Sequence, residues 1–231
     1  MLKKVLIVFS FLVLSLSMNA QEDFRTSTHI GFNAGINFNR VSFSPFVRQD
    51  LLTANSFGFV FRHVSEPNIG LQFEVNYSGR GWMENRDSTG TYKRNLQVLD
   101  IPVMAAFIAG SRMLRFAFTL GPYLSRRLQE KETISIRDSE NFRVYSLQQP
   151  GYIMYNPYYK PYYLKVLESK WEFGFTGGIG IEIYTKFGTP GIRASYSHSL
   201  TNIFPLNTDQ FYYEASRSQV IHAGITYFIN F

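Results

Sequence analysis

The stretch IGLQFEVNYSGRGW, residues 69–82, alternates without a miss over its first ten positions. Ile69, Leu71, Phe73, Val75 and Tyr77 are apolar, and Gly70, Gln72, Glu74, Asn76 and Ser78 between them are small or polar. A helix of about 3.6 residues per turn would scatter the five apolar side chains around its axis, whereas a strand puts them on one face. The fold then depends on what that face meets. In a soluble sandwich or barrel it covers a core; in a barrel that crosses a membrane it meets lipid, and the polar face fills the interior.

The same alternation recurs along the chain. A first strand carries Ile30, Phe32, Ala34, Ile36 and Phe38, and a second carries Phe57, Phe59 and Phe61. The stretch at 69–82 is the third. A fourth, about 96–108, carries Leu99, Ile101, Val103, Ala105 and Phe107, with Pro102 expected only at a bulge or an edge because it lacks a ladder N–H. Leu114, Phe116, Phe118 and Leu120 mark a fifth, Trp171, Phe173, Phe175, Ile179, Ile181 and Ile183 a sixth, Ile192, Ala194 and Tyr196 a seventh, and Ile221 to Phe231 an eighth. Long connections at about 40–53, 83–93, 125–169 and 201–215 alternate with short ones at 65–68, 110–112 and 188–190. Short periplasmic turns, longer external loops and two periplasmic termini are the pattern of an outer-membrane barrel. The expectation is an all-β fold: an eight-stranded antiparallel up-and-down transmembrane β-barrel with one long external loop.

Composition agrees. The chain has 22 Phe and 15 Tyr, enough aromatic surface to furnish a lipid-facing belt. Beyond Lys4 the lysines are Lys93, Lys131, Lys160, Lys165, Lys170 and Lys186, all in loops or at strand ends. The polar faces instead carry Gly, Asn, Ser and Thr, which suit a narrow interior filled by side chains and exclude an aqueous pore. Trp171 and Tyr77 fall near the loop ends of their strands, Tyr184 and Tyr227 near the turn ends, as interfacial girdles require. The net charge of +6 comes without a clustered basic motif, so no nucleic-acid partner is expected.

Residues 1–20 have the charged start (Lys3, Lys4), the apolar run and the small-residue end of a secretory signal. Cleavage after Ala20 would leave 21–231 as one barrel domain in the outer membrane of a Gram-negative bacterium. Phe231, in phase with Ile229 and Tyr227, fits the terminal aromatic that such barrels present to their assembly machinery.

Seven charged residues fall on interior faces: Arg62, Glu74, Asp100, Arg115, Glu172, Glu182 and Arg193. A lone buried ion costs several kcal/mol, so these should pair and plug the lumen. Counting outward from a turn centred between Phe187 and Gly188 sets Glu182 opposite Arg193, while Arg62 falls near Gln72 and in diagonal reach of Glu74.

No GxSxG, P-loop or HExxH pattern occurs, and Gly177, Gly178 and Gly180 sit mid-strand. His29, His63, His198 and His222 lack metal-ligand spacing. Ser195, Ser197, His198 and Ser199 cluster at one rim, but alternation turns His198 to lipid and Ser197 and Ser199 to the lumen. No catalytic residue, cofactor or metal is expected. Tyr145, Tyr152, Tyr155, Tyr158, Tyr159, Tyr162 and Tyr163 make the long loop the expected interaction surface, for a protein partner or a surface glycolipid, since Tyr gives large contact area at low entropy cost.

GFNAGINF at 31–38, GLQFEVNYSGRGW at 70–82, LDIPV at 99–103, GPYL at 121–124, GGIGIEI at 177–183 and the run from Arg193 through SLTNI to Ile203 resemble the PorT-type outer-membrane β-barrel family of Bacteroidetes. The resemblance spans nearly all of 21–231 and implies the fold and the outer membrane. The expected function is a non-porin barrel with a structural or interaction role through its loops, surrounded by outer-membrane lipid. Alternatives are an accessory component of type IX secretion or gliding, after which the family is named, a small lipid-modifying enzyme, and a soluble ligand-carrying barrel.

Overall fold

The computed structural model describes residues 26–44, 46–85, 90–111, 113–137, 142–146, 167, 169–204 and 215–229. They form β1 (Ser27–Ser44), β2 (Leu52–Glu66), β3 (Ile69–Asn85), β4 (Gly90–Gly110), β5 (Leu114–Arg137), β6 (Phe142–Ser146), β7 (Trp171–Ile183), β8 (Thr189–Asn202) and β9 (Ala215–Ile229). Each strand of the wall pairs antiparallel with its neighbour in sequence, β5 pairs with β7, and β1 closes on β9. The result is a closed ring of eight strands, with β6 paired outside it to the far end of β5. Closure satisfies the backbone of every wall strand without an exposed edge, which lipid demands.

Alternation sorts the side chains. The outward Phe59 and Ile225 are 62% and 63% exposed, while Glu74 on the inward face is 0% exposed. Rings pack side by side on the outer wall, Phe32 with Phe59 at 5.2 Å and Phe57 with Tyr77 at 5.3 Å between centroids. An apolar belt around a polar interior inverts a soluble protein and fits a wall in lipid.

The strands run longer than their alternation suggested. β4 has 21 residues and β5 has 24, against the ~9–11 that cross a bilayer. The wall therefore continues beyond the membrane at the loop end, and β3, β4 and β5 absorb much of what reads as loop at 83–93 and at the start of 125–169. Pro102 lies neither at an edge nor at a bulge. The β3–β4 ladder passes from Phe73↔Val103 to Asn76↔Asp100, lapsing around the proline and resuming in the same register, and the bulge between β4 and β5 falls instead at Gln97/Val98. Both neighbouring strands hold Pro102 in place, so one missing N–H is absorbed without a shift.

Candidate functional site: the lumen and its cap

At the turn end, Arg62 Nη1 donates to Glu182 Oε2 at 2.8 Å, Nη2 lies 2.8 Å from Oε1, and Nε donates to Gln72 Oε1 at 2.8 Å. The guanidinium lies 4.4 Å from the Phe228 ring centroid. One level up, Glu74 accepts from Arg193 Nη1 at 2.7 Å and Nη2 at 3.2 Å, from Asn76 at 2.8 Å and from Gln72 at 2.5 Å. β2 and β7 stand on opposite sides of the ring, as do β3 and β8. Both ion pairs are thus struts across the lumen. His222 Nδ1 meets Asn37 Oδ1 at 2.9 Å, its imidazole resting over Gly35 and Gly224, where an added Cβ would come within 2.6 and 2.8 Å of the ring.

The third level is built on Arg80. Its Nη1 donates to Glu172 Oε1 at 2.5 Å, and Tyr123 donates its hydroxyl to the same oxygen at 2.7 Å. Nη2 lies 2.9 Å from Asp100 Oδ1 without hydrogen-bond alignment, so that contact is chiefly coulombic. Ser78 Oγ donates to Asp100 Oδ2 at 2.5 Å. A void of about 50 Å³ lies among Glu74, Arg80, Asp100 and His222, room for ordered water but no continuous aqueous path.

Above Arg80 the interior becomes apolar. Trp82, Phe43, Phe204, Tyr92, Leu96 and Val98 form a buried cluster, with Trp82 centred 5.6 Å from Phe43, 5.9 Å from Phe204 and 6.0 Å from Tyr92. Arg94 is buried among them, 5.6 Å from the Trp82 ring, and pairs with Glu130. Burial pushes the Tyr92 phenol well above 10; Arg94 opposes this and the hydrogen-bonded Glu132 adds to it. Gly81, beside Trp82, has φ +136°, and a Cβ there would meet the Arg94 carbonyl oxygen. Only glycine lets the wall close this tightly on the cap.

The pairing of the charged residues differs from that expected. Thr185 bridges Gly188, which centres the turn between Lys186 and Phe187; Glu182 therefore faces Gly191, and Arg193 faces Gly180. Glu182 binds Arg62 and Arg193 binds Glu74, because long side chains in a narrow barrel reach the far wall as readily as the next strand. Arg62 does lie opposite Gln72. Asp100 and Glu172 converge on Arg80, while Arg115 is half-buried near the turn end, 5.1 Å over the Tyr184 ring, with no ion pair among the described residues. We expect Glu74→Gln and Arg193→Met to show a coupling of about 1–3 kcal/mol in a double-mutant cycle of unfolding free energy, and Glu182→Gln with Arg193→Met to be additive within about 0.5 kcal/mol. The reverse result would restore the Glu182–Arg193 pair.

Ser197 Oγ donates to Thr176 Oγ1 at 2.9 Å, Ser199 is buried against Thr201, and His198 stacks outward on Tyr196. No nucleophile and base meet there. Among the described residues no group of three or more His, Cys, Asp and Glu side chains could hold a metal ion. Tyr145 falls in β6, and Tyr152, Tyr155, Tyr158, Tyr159, Tyr162 and Tyr163 lie outside the described residues, as do Phe231 and the expected export signal. Arg80, Trp82 and Arg94 were not among the expected interior groups. Arg80 and Trp82 continue the inward phase of Gln72, Glu74, Asn76 and Ser78 within the stretch 69–82, so the same alternation already marks them as interior.

A closed eight-stranded wall, apolar outside and plugged by ion pairs within, defines a non-porin barrel of the outer membrane. The chain belongs to the family described as outer membrane protein beta-barrel domain, whose model matches residues 19–205. Similar solved structures include Ail, the attachment invasion locus protein of Yersinia pestis, at 10% identity and TM-score 0.43 over 88% of this chain and 99% of that one. Neisserial surface protein A matches at 13% identity and TM-score 0.42 over 90% and 100%. OprG from Pseudomonas aeruginosa matches at 8% identity and TM-score 0.42 over 89% and 96%. No curated protein sequence matches the chain.

Proposed function

We propose that this barrel is a membrane-anchored interaction or structural protein that works through its loops and not through its lumen. The observation that carries the reading is the interior: three levels of bonded charge capped by the Trp82 cluster leave nothing to conduct. The separation of His198 from Ser197 and Ser199 speaks against catalysis at that rim. β5 runs past the membrane to Arg137 at the loop end, and the tyrosines of the connection that follows it in sequence suit a protein or glycolipid partner. The segments GLQFEVNYSGRGW and LDIPV support the finer reading of a PorT-type barrel, and with it an accessory place in type IX secretion or gliding.

The test is complementation. In a strain lacking the gene, secreted and surface proteins are compared after restoring either the full chain or a version in which a short Gly-Ser turn replaces residues 147–166. The loop reading predicts that the shortened barrel assembles in the outer membrane yet leaves the deletion's protein profile uncorrected. Full correction by the shortened barrel would contradict it. Loss of type IX cargo in particular would support the accessory role.

A further inference from the structure

Among the described residues, the outward charges at the loop end of the wall are of nearly one sign. Arg40 on β1, Arg126 on β5 and Arg217 on β9 are exposed and in outward phase, and Lys170, just before β7, is exposed beside Trp171. Of the described carboxylates of this end, Asp100 and Glu172 turn inward to Arg80, Glu130 to Arg94 and Glu132 to Tyr92. Asp50 is the one exposed carboxylate at this end among the described residues. The acids neutralise the lumen, and the bases are left for whatever surrounds the wall.

Their height is set by their neighbours. Arg126 lies directly opposite Trp171 in the β5–β7 ladder, with its guanidinium 5.5 Å from that indole, and an exposed Trp above an apolar belt marks the headgroup level. Arg40, two residues beyond the lipid-facing Phe38, donates Nε to Gln219 Oε1 at 2.7 Å. Gln219 lies across from it and Arg217 across from Ser42, so Arg40 and Arg217 are diagonal neighbours on the outer surface. A guanidinium presents a planar fork that matches phosphate oxygens.

We propose that Arg40, Arg126 and Arg217 form a rim that binds phosphate-bearing lipid in the leaflet at the loop end. Acyl chains of such a lipid lie on the Phe and Ile belt while its phosphate meets the arginines directly above. The charge complementarity and the apolar surface immediately below favour a lipid over a soluble anion or a protein. This does not depend on what the loops bind.

The test uses the full refolded barrel in neutral detergent micelles, titrated with short-chain phosphatidic acid, phosphatidylcholine of the same chain length, or inorganic phosphate. The temperature at which the compact, unboiled band is lost on a gel reports binding. Phosphatidic acid should raise that temperature, with little response to the other two and with loss of the effect in high salt. β1 and β9 lie across the ring from β5, so Arg40→Gln and Arg126→Gln should each reduce the rise in temperature by the part its own side of the rim contributes, and the triple variant including Arg217→Gln should abolish it. Lys186→Gln, at the opposite end, should respond like the parent. Inorganic phosphate acting as well as the lipid, or an undiminished lipid response in both single variants, would overturn the proposal.

Discussion

Arg80→Ala is expected to destabilise the barrel by about 3–5 kcal/mol, the largest effect of any single change in the lumen. Among the described residues Arg80 is the one cation that pairs with both Asp100 and Glu172, at 2.9 and 2.5 Å, and both acids face the interior. Removing it leaves two carboxylates with the Tyr123 and Ser78 hydroxyls as their remaining partners, in a space with little room for water. Arg80→Met should cost nearly as much, since it restores volume but no charge. Adding Asp100→Asn and Glu172→Gln to Arg80→Met should recover most of the loss, because the penalty belongs to unpaired ions. Urea unfolding of the bilayer-reconstituted protein, followed by Trp fluorescence, measures all three; a mild Arg80→Met variant would mean that the acids are solvated.

Trp82→Ala should cost about 3–5 kcal/mol by emptying the centre of the cap. The indole is fully buried, touches the rings of Phe43, Tyr92 and Phe204, and donates Nε1–H to Glu84 at 3.2 Å. The loss should be local. The Arg62–Glu182 and Glu74–Arg193 bridges include no residue of the cluster, so the alanine variant should still migrate as a compact band, while protease added at the loop end should cut β3, β4 and β5 beyond the membrane much faster than in the parent. Trp82→Phe should retain most of the resistance. Equal protease resistance in parent and alanine variant would show that the extended strands hold themselves without the cap.

Most of the wall is legible in the sequence because period-two alternation depends on each residue and its immediate neighbours. Phe57, Phe59 and Phe61 declare their face unaided. The cross-lumen pairs are not legible in the same way. Which acid meets Arg193 depends on a turn centred one residue earlier than expected, between Lys186 and Phe187, and on the width of the closed ring, and neither is a local property. Pro102 misleads for a related reason, since the two strands that tolerate it are visible only after closure. The cap was missed where the interior changes from polar to apolar: Trp82, Leu96 and Val98 keep the inward phase, but their hydrophobicity contradicts the polar-lumen rule that identifies the strands below. Alternation reports which way a side chain points, and only the assembled barrel says what it finds there.

A sealed lumen is the claim on which the functional reading stands. Refolded protein, shown by its compact unboiled band to be inserted, should be placed in planar bilayers and its current recorded under applied voltage. The bonded levels at Arg62, Glu74 and Arg80 and the Trp82 cap predict a baseline indistinguishable from protein-free membrane. Steady, voltage-proportional openings that scale with the amount of inserted protein would contradict it.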